Sequence, residues 1–415
     1  MILRGWQPRD WVRTLGAQCK VDPEFFRRHL DFLEPASYFD LPALPSTSQN
    51  LWRLRVTTIC NRVNPLSAEE VRKQRKDDLE GVNKFLNALR ASERIGSSIV
   101  RRHAIINETT CVIEQDISFC VQKRRSGGWT GFIWLDNGKP FDDNSIAPWL
   151  ENYKAKFSSH NPYLPIVQHL DKMALNPPNS EVFDMSQIPR STSAQSRNTF
   201  HASQTLSNLP EQYGMSLNRK LMKMDALYAF SDLFNVALCS ENQFLNMIQA
   251  EINVAIRSFH GQEENCIDIL SYCKGLIDEH YDRLREMVAL LENEENNGWP
   301  RVTEGPEFWT RDDIAKALRK DVQHLLYRCS TLAERAIDGT NFIRNYAMLL
   351  TSERSISQAK EVGRLTLLAY FFLPMSLVTS LFGMNFVEIE DWRKAVISAV
   401  AVFAGVMTIS LIICI

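Results

Sequence analysis

Asn385 has the type and setting with the most specific chemistry in this chain. It closes the triplet Gly383-Met384-Asn385, and Glu388, Glu390 and Asp391 follow shortly after. A side-chain amide is neutral, and its carbonyl oxygen accepts hydrogen bonds. A ring of such oxygens would hold a hydrated cation through its waters and leave the first shell intact. A ring of bare carboxylates would grip harder and release more slowly. Carboxylates set just outside would instead raise the local cation concentration through their field. Gly383 lets the backbone approach and bend at this point. Catalysis has no comparable set of residues: there is no phosphate loop, Ser-His-Asp arrangement, His-x-x-x-His pair or cysteine metal motif. An enzyme is therefore not expected, nor is a resident cofactor.

The triplet sits between two charge-free runs. One extends from Leu365 to Val387 and the other from Ala395 to Ile415. At about 1.5 Å per residue, each is roughly 30 Å long as a helix, the thickness of a bilayer core. Residues 365–387 and 395–415 therefore read as transmembrane helices, and residues 388–394 as the short acidic loop of a hairpin. Arg354, Lys360 and Arg364 precede the first run, against Arg393 and Lys394 in the loop. That bias places both ends on the cytosolic (or matrix) side. It predicts an integral, multi-pass protein, in a membrane the residues do not name.

A Gly-Met-Asn triplet at the outer end of a proline-containing apolar helix, before an acidic loop and a second terminal helix, resembles the CorA family of divalent-cation channels. The motif match covers the last fifty or so residues. The stretch Pro23-Glu-Phe-Phe-Arg-Arg-His-Leu30 is similar to one found in the fungal CorA-like branch, whose N-terminal domains diverge. Phe382 stands where the family usually has tyrosine. The resemblance implies a homopentamer in the bilayer, with magnesium as the transported ion and Asn385 holding it hydrated. Magnesium keeps its water shell tightly, as an amide filter requires. A zinc, cobalt or nickel transporter of the same fold is the same-class alternative. A non-conducting membrane-anchored sensor or interaction protein is the alternative from another class.

A two-helix chain encloses a pore only when several copies share an axis. Threes and fours counted back from Gly383 give Ser380, Ser376, Leu373, Ala369, Leu365 and Val362 as the pore-lining stripe. The serines would offer hydroxyl oxygens to a hydrated ion, and the apolar positions would form constrictions that gate by dewetting. Tyr370, Phe371 and Phe372 fall mostly off the stripe.

The remaining elements must carry this hairpin. Apolar or small residues recur at Leu318, Val322, Leu325, Cys329, Leu332, Ala336, Gly339, Ile343, Tyr346 and Leu350. These alternating steps of four and three mark a coiled-coil-like seam on a stalk helix over 310–364, and a seam calls for partners. Thr310-Arg-Asp-Asp313 fits a capping box at its start, and Gly339 would weaken it locally. Residues 216–300 read as a helical hairpin ending in the acidic tract Glu292–Gly298. Residues 1–215 read as a soluble α+β domain: helices over 1–35, a strand from Leu51, and a helix near Ser67–Ser92. Strand-like runs follow at Ser98–Ile106, Thr110–Ile113, Ile117–Lys123 and Trp129–Leu135, and a flexible loop occupies 151–215. The fold expected is thus an α+β domain, a stalk and a transmembrane hairpin. A net charge of −2 argues against a nucleic-acid partner. Nine scattered cysteines without a Cys-x-x-Cys pair fit a reducing compartment better than a disulfide framework.

Overall fold

The structure, a computed structural model, describes residues 1–30, 50–62, 64–91, 95–124, 128–139, 163–166, 205–292, 298–383 and 392–414. The chain divides into two compact units. One comprises Met1–Ser258 with Asp268–Gly339, and the other Phe259–Ile267 with Thr340–Ile415.

The first unit is built on a five-stranded sheet. Its strands are β1 (Ile2–Arg4), β2 (Leu51–Asn61), β3 (Arg102–Ile105), β4 (Thr110–Lys123) and β5 (Trp129–Leu135). The order is β1-β5-β4-β2, and β3 pairs with the stretch of β4 that β5 leaves free. β1 runs parallel to β5, with Ile2 opposite Ile133, whereas the other pairs are antiparallel. β4 is the hub. Every residue from Cys111 to Val121 is buried. Successive strand residues point to opposite faces, so both faces are covered.

Helices supply that cover. They are α1 (Arg9–Cys19), α2 (Pro23–His29), α3 (Ala68–Ala91), α4 (Leu209–Gln212), α5 (Arg219–Met224), α6 (Ala226–Arg257) and α7 (Glu263–Glu292), followed by α8 (Pro306–Gly383) and α9 (Trp392–Cys414). Phe25 and Phe26 of α2 pack with Trp134, Phe132 and Cys120. Val82, Phe85 and Leu86 of α3 pack with Ile113, Cys111 and Cys60. Phe230 and Phe234 of α6 meet Phe119 of β4, with ring centroids 4.6 and 5.8 Å apart.

Several sequence expectations are corrected here. β1 lies in a segment read as helical. The runs 110–113 and 117–123 are one strand, because the intervening Glu114, Gln115 and Asp116 are buried and paired rather than looped out. Arg55 Nε donates to Asp116 Oδ1 (2.5 Å) and its Nη1 to Glu114 Oε2 (3.0 Å). Arg101 Nε donates to Asp136 Oδ2 (2.7 Å). The helix expected from about 216 breaks at Asp225. That carboxylate accepts from Tyr228 N (2.8 Å), capping α6, and also takes Arg311 Nε (3.1 Å). The stalk begins at Pro306, so Thr310 lies inside α8 and caps nothing. A capping box exists instead at Ser67: Glu70 N donates to its hydroxyl, and Ser67 N donates to Glu70 Oε2. Within 151–215, residues 151–162 and 167–204 lie outside the described residues, and Leu209–Gln212 is helical. Residues 293–297 of the acidic tract also lie outside them.

The seam of α8 has its partners inside the chain. Leu318, Val322, Leu325, Cys329, Leu332 and Ala336 are all buried in the first unit. Arg328 donates to Asn242, Asn246 and Gln249 of α6, and Arg319 to Leu291 O of α7. A 3.5-residue seam that α6 and α7 already fill does not by itself call for a second copy. At Gly339 an added Cβ would stand 2.8 Å from Ile256 Cδ1 and 3.3 Å from Leu270 Cδ1. The glycine lets three helices approach, a reason the sequence alone hides.

Candidate functional site

In the second unit, α8 continues from Thr340 to Gly383 without interruption, although Pro374 contributes no N–H to its ladder. Its first turns carry an aromatic cluster. Phe259 meets Phe342 and Tyr346 edge-on at 5.5 and 5.1 Å, and His260 stacks on Tyr346 at 5.4 Å. Ile343 is fully buried. Beyond this cluster the helix has little cover within the chain. Val362 (60% exposed), Leu365 (67%) and Leu373 (73%) are open, as are Ala369, Ser376 and Ser380.

The proposed stripe is coherent as geometry. At about 100° per residue, Val362, Leu365, Ala369, Leu373, Ser376, Ser380 and Gly383 fall within roughly 80° of one another. The helix is equally apolar beside and behind the stripe, where Leu368 and Phe372, and Leu367 and Phe371, are exposed too. A helix apolar all round is at rest only in an apolar surround. The hydroxyls of Thr366 and Thr379 turn back onto Val362 O and Met375 O (2.8 and 2.9 Å), which conceals their polarity.

Gly383 is the last described residue of α8. Met384, Asn385, Glu388, Glu390 and Asp391 lie outside the described residues. α9 then runs to Cys414, with Val396, Ile397 and Val400 exposed. Among the described residues, no helix is long and apolar enough to cross a membrane. Both charge-free runs extend beyond that set, so their spans rest on the sequence. Among the described residues, no group of three or more His, Cys, Asp or Glu is placed to hold a metal ion.

The electrostatic centre of the first unit was missed at the sequence level. His280 of α7 lies between Glu241 (2.8 Å) and Glu114 (3.3 Å), and its ring stacks on Phe244. Burial lowers its pKa, but the two carboxylates outweigh burial and raise it. Burial works against ionising Glu114 as well, yet Arg283, His280 and Arg55 hold it well below the usual carboxylate range. His29 differs: burial dominates and pushes it down, despite Asp136 at 3.2 Å. The signal available in the sequence was three polar residues inside an otherwise apolar strand.

Residues 305–415 match the family model described as CorA-like Mg2+ transporter protein. This part of the chain is CorA-like. The CorA-like part begins one residue before α8 and takes in all of α8, the Gly383-Met384-Asn385 triplet and α9. The sheet unit, residues 1–304, lies outside the match. No curated protein matches the chain.

Proposed function

We propose that the chain passes divalent cations, magnesium foremost, down their electrochemical gradient through a pore shared by several copies. In this reading residues 365–387 and 395–415 cross the bilayer, and Gly383-Met384-Asn385 is the filter. Asn385 holds the ion by its waters. Val362, Leu365 and Leu373 form the dry constrictions, Ala369 leaves room, and Ser376 and Ser380 offer oxygens nearer the filter. Glu388, Glu390 and Asp391 concentrate cations at the mouth. The supporting observation is the CorA-like match over 305–415, which contains a helix that is uninterrupted as far as Gly383. The exposed apolar surface behind the stripe is what neighbours and lipid would cover. A homopentamer is part of the proposal through the family resemblance, since the seam at 318–339 is filled within the chain.

The test is initial uptake of magnesium, zinc and cobalt into liposomes carrying the purified chain. Magnesium uptake that saturates and follows the imposed gradient supports the reading. Uptake of zinc or cobalt without magnesium replaces the cation, and no uptake of any of the three in either direction refutes conduction.

A further inference from the structure

The turn between β4 and β5 gathers cations from three elements at one end of the sheet. Lys123 ends β4 and stands opposite Trp129, the first residue of β5. Arg124 follows. Its N donates to Gly128 O (3.0 Å) and its Nε to Thr130 Oγ1 (2.6 Å), so its side chain is fixed across the turn. Lys20, the residue after α1, is tied to the same strand end, because Gln122 Nε2 donates to its carbonyl oxygen (2.7 Å). Lys223 of α5 is tied to β5, because Trp129 Nε1 donates to its carbonyl oxygen (2.9 Å). Arg219 lies one helical turn before Lys223, on the same face of α5. All five residues are exposed.

Neighbouring carboxylates are engaged elsewhere. Glu307 pairs with Lys220 (2.6 Å), the residue after Arg219. Asp22 accepts from Glu24 N (2.9 Å) as the cap of α2. Asp232 accepts from Gly214 N (2.8 Å). Among the described residues, Lys20, Lys123, Arg124, Arg219 and Lys223 form no ion pair. In a chain of net charge −2 this is a local excess of positive potential. The five charges sit on separately anchored elements and repel one another, and a bound anion relieves that repulsion. Trp129 stands between two of them, Lys123 across the ladder and Lys223 at its indole N–H. The ring is half-buried and meets Phe230 of α6 edge-on at 5.7 Å. It is thus a fixed apolar floor flanked by cations. A bilayer-binding surface instead offers free aromatic side chains that insert among the acyl chains. A short run of phosphates matches this end better.

We infer that this end of the sheet binds a soluble polyphosphate, with Lys123 and Lys223 as its main contacts on either side of Trp129. Lysine ammonium groups meet phosphate as point charges with rotatable donors, so they follow a flexible chain of phosphates without a set geometry. Arg124, Lys20 and Arg219 add attraction from the rim. The surface lies within residues 1–304, outside the CorA-like match, so the binding is a property of the sheet unit and does not depend on conduction.

The experiment is calorimetric titration of the full chain in detergent with sodium tripolyphosphate, at neutral pH and without divalent cations. Binding at about 0.1 M salt should weaken at least about fivefold at about 0.5 M, because salt screens the attraction. Lys123→Gln and Lys223→Gln should each weaken it about fivefold, the worth of one lysine beside an anionic surface. The double variant should lose more than about tenfold. Lys84→Gln, on α3 and paired with Glu80 (2.8 Å), should bind as the wild type does. All three lysines are exposed, so the melting temperature should move little. No binding by the wild type overturns the proposal. A double variant that binds as tightly as the wild type also overturns it, since the anion then sits on other cations. So does tighter binding of hexaglutamate or of water-soluble dihexanoyl phosphatidylserine through the same two lysines, which would make the partner an acidic peptide or a lipid surface.

Discussion

Gly339→Ala sets two terms of opposite sign against each other. Alanine in a helix interior is favoured over glycine by about 1 kcal/mol. The new Cβ would lie 2.8 Å from Cγ1 and Cδ1 of Ile256 and 3.3 Å from Leu270 Cδ1. Overpacking of this kind costs about 1–3 kcal/mol. Ile256 is only half-buried, in the last turn of α6, and can give way, so about 2 kcal/mol is the working figure. The net expectation is a loss of about 1 kcal/mol. Ile256→Ala removes both of its contacting atoms. In that background Gly339→Ala should stabilise by about 1 kcal/mol, a coupling of about 2 kcal/mol. The assay is thermal and denaturant unfolding of the full chain in detergent for wild type, both single variants and the double. If Gly339→Ala stabilises equally in both backgrounds, the three helices do not meet at this glycine and the packing argument for α8 fails.

Asn385→Ala should abolish magnesium uptake into liposomes at unchanged protein level, because the methyl offers no acceptor to the ion's waters. Asn385→Asp should keep binding but slow release and alter selectivity. Glu388→Gln should lower uptake more at low salt than at high, since it acts through a screened field. For His103, burial lowers the pKa, but the hydrogen bond to Asp78 leads the effects that more than offset it and raise it to about 9. Its stabilisation is complete below the unfolded value near 6.5 and is lost as pH rises through about 9. At about 1.4 kcal/mol per unit, at most about 3.5 kcal/mol is lost over that window. Melting temperature measured from pH 6 to 10 should fall accordingly, and His103→Gln should flatten the curve. Mass measurement in detergent should give one main species about five times the chain mass, and a monomer that still conducts would remove the shared pore.

The C-terminal third was the most legible from sequence, because its signals are one-dimensional: charge-free runs, a triplet and an unbroken helical period. The same period does not say what its partners are. A seam reads alike whether a second copy fills it or the chain's own α6 and α7 do. The sheet was read in pieces for a related reason. Glu114, Gln115 and Asp116 look like a loop until Arg55, Arg101 and Arg283 come from other elements to pair with them. β1 could not be seen because three residues carry no period, and its partner lies at the other end of the domain.

The parallel pairing of β1 with β5 bears on how the chain is made. Ile2 leaves the ribosome well before its partner Ile133 has been translated. At about 5–20 residues per second the wait is on the order of ten seconds. During that interval the opening residues cannot occupy their native edge, and β4, the hub, is also missing until shortly before. The sheet therefore closes late and nearly all at once, and the arginines of β2 spend that time in water before their carboxylates arrive. A nascent chain stalled between β2 and β4 would expose an unpaired apolar strand edge, which makes this window the one in which a holding chaperone would matter most.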